Sequence, residues 1–283
     1  MLKIQKTLVL MMFVTITNIS FGQVAFGGTW KGEHLRGQVK SIKTTIYYAN
    51  DKFGEITKGD VYSWVLWRFD TKGEGTEKTD SKESNFKYNS KYDNQSRLTE
   101  QNAYSSAGTL ALKTLNKYDN EKISQTISYD ENGNLYEKYL YKYDNNTQNC
   151  ETSRYNSSGD LNYKCITDKN RNILETSEYS YGSIDTKLKY EYSNAGKLNR
   201  VLTYNSENTL VKEYVYNENG DIIIEKSYDY SYDEDYNDIT TEKIEYTYKY
   251  KYDNKGNWTE QILFKSEADI AISITAREIE YYK

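Results

Sequence analysis

Apolar and polar residues alternate with a period of two along much of the chain. Ile244, Tyr246, Tyr248, Tyr250 and Tyr252 alternate with Glu245, Thr247, Lys249 and Lys251. Leu188, Tyr190 and Tyr192 alternate with Lys187, Lys189 and Glu191, and Leu210, Tyr214 and Tyr216 share a face that Lys212 interrupts. Successive strand residues point to opposite faces, so this spacing predicts β-strands with one tyrosine face and one charged face. An amphipathic helix would need apolar spacings of three and four.

Between these stretches a heptapeptide recurs: an aromatic, then Asp or Asn, a central Gly or Asn, and a closing apolar residue. Good copies are Tyr129-Asp-Glu-Asn-Gly-Asn-Leu135, Tyr216-Asn-Glu-Asn-Gly-Asp-Ile222 and Tyr252-Asp-Asn-Lys-Gly-Asn-Trp258. Others start at Tyr104, Tyr155 and Tyr192, with looser ones at Phe69, Tyr92, Tyr118, Tyr143, Thr167 and Tyr204. Asp and Asn bond to nearby backbone, and Gly adopts positive φ without a Cβ penalty. Each copy therefore predicts a hairpin connection, and the common spacing of about 12 residues leaves one ordinary strand between turns. The expected fold class is all-β, an antiparallel β-hairpin repeat array forming an extended, curved or partly wound sheet.

The ends of the chain read differently. Val61, Val65, Trp67 and Phe69 alternate with Tyr62, Trp64, Leu66 and Arg68, and Trp258, Ile262, Phe264, Ile270, Ile272 and Ile274 enrich the C-terminal stretch. Terminal repeats of an array are commonly atypical because they cap it. Residues 28–68 and 259–283 are expected to be capping β segments of a single domain covering 23–283. Before it, Lys3 and Lys6 precede the apolar run Thr7–Thr17, and Ser20 and Gly22 suit a cleavage site before Gln23. Residues 1–22 therefore read as a signal peptide, and the run is too short to span a bilayer as a helix. The mature chain is expected in the periplasm, at the cell surface or secreted.

Composition narrows the function classes. Of the 283 residues 31 are Tyr against 7 Phe and 4 Trp, with no Pro and one His, so the aromatic content is amphipathic. Mean hydropathy is −0.91, yet the wealth of Tyr, Ile, Val and Thr argues against disorder. The formal charge is −5, and losing Lys3 and Lys6 takes it to −7. With Lys and Glu interspersed, no basic stripe suits nucleic acid. His34 stands alone beside Trp30 and Glu33, and no Gly-x-Ser-x-Gly elbow accompanies it. One His and two distant Cys do not make a zinc site. Most carboxylates are explained by the turns and the charged strand face. The acidic stretch Tyr228–Asp238 lacks the Gly and final Glu of an EF-hand and reads as a solvated hairpin. No catalytic residue, cofactor or metal is expected.

The aromatic-Asp-x-x-Gly-x-apolar unit, repeated from Phe69 to Trp258, resembles the YD repeat of Rhs-like secreted and surface proteins of bacteria. The resemblance implies antiparallel hairpins wound into a hollow β shell, in that family often around a C-terminal toxin. The family's self-cleaving signature contains Pro, which this chain lacks, so a toxin-carrier role is not carried over. The tyrosine face, with Tyr190, Tyr192, Tyr214, Tyr216, Tyr246, Tyr248 and Tyr250, is the candidate binding surface for a protein or glycan, because stiff aromatic area with a polar tip suits recognition. The same face could instead close on itself and form the core. The expected function is a non-catalytic structural, adhesive or binding role at the cell envelope or exterior; the alternative is a carbohydrate-binding or carbohydrate-processing envelope protein. Finally, Cys150 and Cys165 flank the copy from Tyr155 to Leu161. With Tyr155 opposite Leu161 they fall one residue from direct opposition, so a one-residue bulge would bring them within disulfide reach.

Overall fold

Most copies of the heptapeptide build the same turn. At Tyr129–Leu135 the Asp130 amide donates to the Asn134 carbonyl at 2.9 Å, and the Gly133 amide donates to the Asp130 carbonyl at 3.1 Å. Asp130 Oδ1 accepts the amides of Asn132 and Asn134 at 2.9 and 2.8 Å. Asp70, Asp93, Asn156, Asp168, Asn205, Asn217 and Asp253 repeat that pair of acceptor contacts. The fifth position of the heptapeptide takes positive φ, 80° at Gly133, which explains why Gly prevails there.

In the computed structural model, which describes residues 29–283 apart from 31–32, 53, 82–84 and 233–237, with no side chains over 229–242 or at 268, these turns join eighteen strands. They are β1 (Val39–Lys52), β2 (Glu55–Phe69), β3 (Gly75–Asp80), β4 (Asn85–Tyr92), β5 (Leu98–Ser105), β6 (Leu110–Asp119), β7 (Lys122–Asp130), β8 (Leu135–Tyr143) and β9 (Cys150–Asn156). Then come β10 (Leu161–Thr167), β11 (Ile173–Ser180), β12 (Ser183–Tyr192), β13 (Leu198–Tyr204), β14 (Leu210–Tyr216), β15 (Ile222–Tyr232), β16 (Asp238–Tyr252), β17 (Trp258–Lys265) and β18 (Ile270–Tyr281). The signal-peptide reading, residues 1–22, and most of the acidic stretch 228–238 lie outside the described residues.

Every strand pairs antiparallel with its neighbours in sequence, and β1 pairs with both β2 and β18. The expected hairpin array is thus present, and it closes into an up-and-down barrel. The two end segments read as caps instead zip onto each other, with Ile42 opposite Ile279 and Ile46 opposite Thr275. The substantial contacts between strands all join ring neighbours. A barrel of this strand number leaves a wide interior, and the inward Tyr48 remains 50 % exposed.

Most turns add a one-residue register shift. Glu191 faces Arg200, but Tyr192 then faces Leu198. Such a bulge flips the facing of the residues beyond it. In seven-residue β13, Leu198, Val201 and Thr203 point inward while Arg200, Leu202 and Tyr204 point outward. This corrects one expectation: Lys212 shares the inward face with Tyr214 and Tyr216, and it is Leu210 that turns out. The inward face holds the largest core cluster, built on Ile123, Tyr139, Tyr141, Cys150, Cys165 and Val201 among others. Thr126 and Ser128, both 0 % exposed, sit in the same layer. The outward face carries paired charges, including Lys91–Glu100, Lys164–Glu151, Arg200–Glu213 and Lys251–Glu260.

Candidate functional site at the barrel rim

The two rims of the barrel differ. One, the terminal rim, gathers the turns after the even-numbered strands together with residues 29–30 and 33–38 and the C-terminus. The other, the distal rim, gathers the turns after the odd-numbered strands. At the terminal rim the aromatic and closing residues of each heptapeptide point inward, as Tyr92 with Leu98 and Tyr192 with Leu198 do. At the distal rim they point outward, as Tyr129 with Leu135 and Tyr204 with Leu210 do.

Residues 29–30 and 33–38 fold over the terminal rim. The Trp30 amide donates to the Gly73 carbonyl at 3.1 Å, and its indole Nε1 donates to the Val39 carbonyl at 2.7 Å. Across the seam the Arg36 amide donates to Asn257 Oδ1 at 2.7 Å, and Asn257 Nδ2 donates back to the Arg36 carbonyl at 2.8 Å. Trp30 and Leu35 thereby complete a second small core with Val39, Ile42 and Phe69. Arg277 stacks on Trp258 at 3.5 Å, with Glu33 at 3.8 Å. Burial lowers its guanidinium pKa to about 10 and raises that of the Glu33 carboxyl. His34, the lone histidine, reaches solvent on this segment.

Between Trp30 and the neighbouring turns lies a cavity of about 790 Å³. Its walls come from the turns after β2, β4, β6, β8 and β10, and its floor includes Ile123, Tyr143, Cys150 and Thr167. Cations are held over the aromatics around it: Lys72 over Tyr92 at 4.7 Å, Arg97 over Tyr118 at 4.4 Å and Lys122 over Tyr143 at 4.7 Å. Each lies within the range of a cation–π contact. Arg97 also pairs with Asp93 at 2.6 Å, and this contact holds the Asp93 carboxyl below the usual carboxylate range. Lys169 and Arg171 complete the basic lining.

The seven tyrosines of the candidate binding face do share one face, the inner one. Tyr190 and Tyr216 are buried and the others half-buried. Several hydroxyls are already engaged: Tyr192 donates to the Ile173 carbonyl at 2.8 Å, Tyr248 to Glu225 at 2.8 Å and Tyr250 to the Ile222 carbonyl at 2.7 Å. These rings build the wall. The expected Cys150–Cys165 disulfide is corrected by the register. The bulge after Leu161 shifts the pairing the other way, so that Cys150 faces Thr167 and Cys165 faces Thr152. Both thiols are free and buried, and burial pushes Cys165 up to about 12. Among the described residues no cluster of three or more His, Cys, Asp and Glu is poised to hold a metal.

No protein-family model and no curated protein matches the chain. Among solved structures it is similar to a porin-like protein from Bacteroides uniformis, at 11 % identity and a TM-score of 0.41, over 86 % of this chain and 98 % of that one. A porin-like protein from Bacteroides vulgatus matches at 9 % identity and a TM-score of 0.26, over 73 % of this chain and 98 % of that one. The TcdB2–TccC3 structure matches at 12 % identity and a TM-score of 0.30, where 85 % of this chain spans 16 % of that one. Likeness at this level transfers no function.

Proposed function

We propose that the chain is an exported, non-catalytic barrel of the cell envelope or exterior that stands outside the bilayer and binds through its terminal rim. The outer wall carries this reading. Transmembrane barrels present an apolar band about 25 Å tall to lipid. Here the outward residues of β12 are Lys187, Lys189 and Glu191 with Ile184 at its start, and those of β16 include Glu245, Lys249 and Lys251. Strands β9, β10, β13 and β14 have seven residues each, short of the 9–11 that a membrane strand takes. Among the described residues no helix is long and apolar enough to cross a membrane either.

The non-catalytic reading rests on how the carboxylates are used. Asp130, Asp168 and Asp253 serve as acceptors inside turns, while Glu100, Glu213 and Glu260 sit in wall ion pairs. The test is purification of residues 23–283 without detergent. A monodisperse, β-rich species in plain buffer is expected, and export should leave an N-terminus near Gln23. A protein that stays in solution only with detergent, or that partitions into liposomes as an integral protein, rejects the reading.

A further inference from the structure

We infer that the terminal-rim cavity is a binding site for an acidic oligosaccharide, a short sugar chain bearing carboxylates at intervals. The inference deepens the reading of a rim-binding barrel and rests on it. The cavity volume, about 790 Å³, lies within the range of small-ligand sites. Its lining is rich in cations. Some wall lysines find carboxylates, as Lys91 and Lys113 find Glu100. Of the five cations lining the cavity, only Arg97 is in an ion pair among the described residues. Two of the lining carboxylates are already engaged: Asp144 Oδ1 accepts the amides of Asn146 and Thr147, and Asp168 Oδ1 accepts those of Asn170 and Asn172. Lys72, Lys122, Lys169 and Arg171 are the other cations of the lining, and Glu74 and Glu121 its other carboxylates.

The placement of these cations selects the shape of the anion. Lys72 follows β2, Lys122 follows β6, and Lys169 and Arg171 follow β10. One small anion meets a single turn, whereas a chain with spaced carboxylates meets several. Trp30, Tyr118 and Tyr143 add aromatic edges to the lining, Tyr118 and Tyr143 each with a cation over one face. Nucleic acid is the weaker match, because the net charge of −5 and the carboxylates of Asp119 and Glu121 repel a long polyanion. Lysine, arginine and uronate all stay charged between about pH 5 and 9.

The experiment is calorimetric titration of the detergent-free barrel with four probes: a short oligogalacturonate, its fully methyl-esterified form, inorganic phosphate and a single-stranded oligodeoxynucleotide. Oligogalacturonate is expected to bind, with salt-sensitive affinity, and the ester about tenfold more weakly or worse. Lys122→Gln and Arg171→Gln should each weaken binding about tenfold, the worth of one charge-assisted contact, without lowering Tm. Lys197→Gln should leave it unchanged, because Lys197 pairs with Glu218 outside the cavity. Equal binding of the ester, tighter binding of the oligonucleotide, equal binding of phosphate, or indifference to both cavity variants overturns the assignment. A well-folded, detergent-free barrel that ignores oligogalacturonate overturns the ligand and leaves the non-membrane reading standing. A barrel that needs detergent overturns the latter whatever it binds.

Discussion

The two rims are made from one heptapeptide and do different things with it. At the terminal rim Leu98 closes its copy pointing inward and is 0 % exposed, whereas at the distal rim Leu135 closes its copy pointing outward and is half-buried. The turn chemistry is the same at both ends; the bulge and the strand length decide the facing. The charges divide the same way. Lys72, Arg97, Lys122, Lys169, Arg171, Lys197 and Lys255 belong to terminal-rim turns, while the distal turns 105–109, 130–134, 156–160 and 205–209 contain no Lys or Arg and the sequence between β3 and β4 contains one, Lys82. A repeat therefore specifies a turn, and its position around the barrel specifies what that turn offers.

The largest contrast is expected from Leu98→Ala against Leu135→Ala. Emptying a buried site costs about 2–5 kcal/mol. The half-exposed outward leucine should cost roughly 1 kcal/mol, since less area leaves water. Denaturant midpoints of the two variants measure this, and equal losses would break the in-versus-out distinction.

Gly73→Ala against Gly133→Ala comes next. Both glycines have positive φ, 87° and 80°, so left-handed backbone costs each variant about 1–2 kcal/mol. A Cβ on Gly73 would also lie 2.5 Å from the Trp30 ring, while one on Gly133 meets nothing within 4 Å. The terminal-rim variant should lose roughly 1–3 kcal/mol more. A matched pair of melting curves would falsify the claim that Trp30 is seated on that turn.

Acid sharpens the contrast at smaller scale. Arg97 lowers the pKa of Asp93, and the Asn134 amide lowers that of Asp130. A depressed folded pKa gives stability that is present above the unfolded value, near 3.9, and is lost as pH falls through the folded one. Asp93→Asn removes an ion pair and should lower Tm at pH 6. Asp130→Asn keeps an acceptor oxygen, as Asn156 and Asn217 do naturally, and should leave Tm at pH 6 nearly unchanged while reducing its fall below pH 4. Melting temperatures from pH 2 to 6 distinguish them. Smallest is thiol reactivity: Cys165 and Cys150 have raised pKa values, chiefly through burial, so iodoacetamide should label both slowly until the protein unfolds. Rapid labelling of native Cys165 would place it elsewhere than in the wall.

Much of this fold is legible in the sequence because its determinants are local. The alternation from Ile244 to Tyr252 gives β16 its faces, and Asp130 with Gly133 gives the turn. The features that escape depend on a bulge or on distant partners. One bulge turned Leu210 outward, and another moved Cys150 off Cys165. The seam between β1 and β18 joins segments that carry no mark of each other. The rim cavity draws on turns one repeat pair apart, and its only trace in the sequence is that cations recur in alternate turns.

That seam has a consequence for how the chain reaches its native state. Most of the barrel is hairpins whose strands find each other within microseconds. Ring closure must instead bring Val39 to Tyr281 across almost the whole described chain, at an entropic cost about 3 kcal/mol above that of a five-residue turn. Until it closes, the molecule is an open sheet with two long bare edges, β1 and β18, each free to accept a strand from another copy. Refolding should therefore be quick in secondary structure, slow to complete, and increasingly prone to intermolecular pairing as the concentration rises.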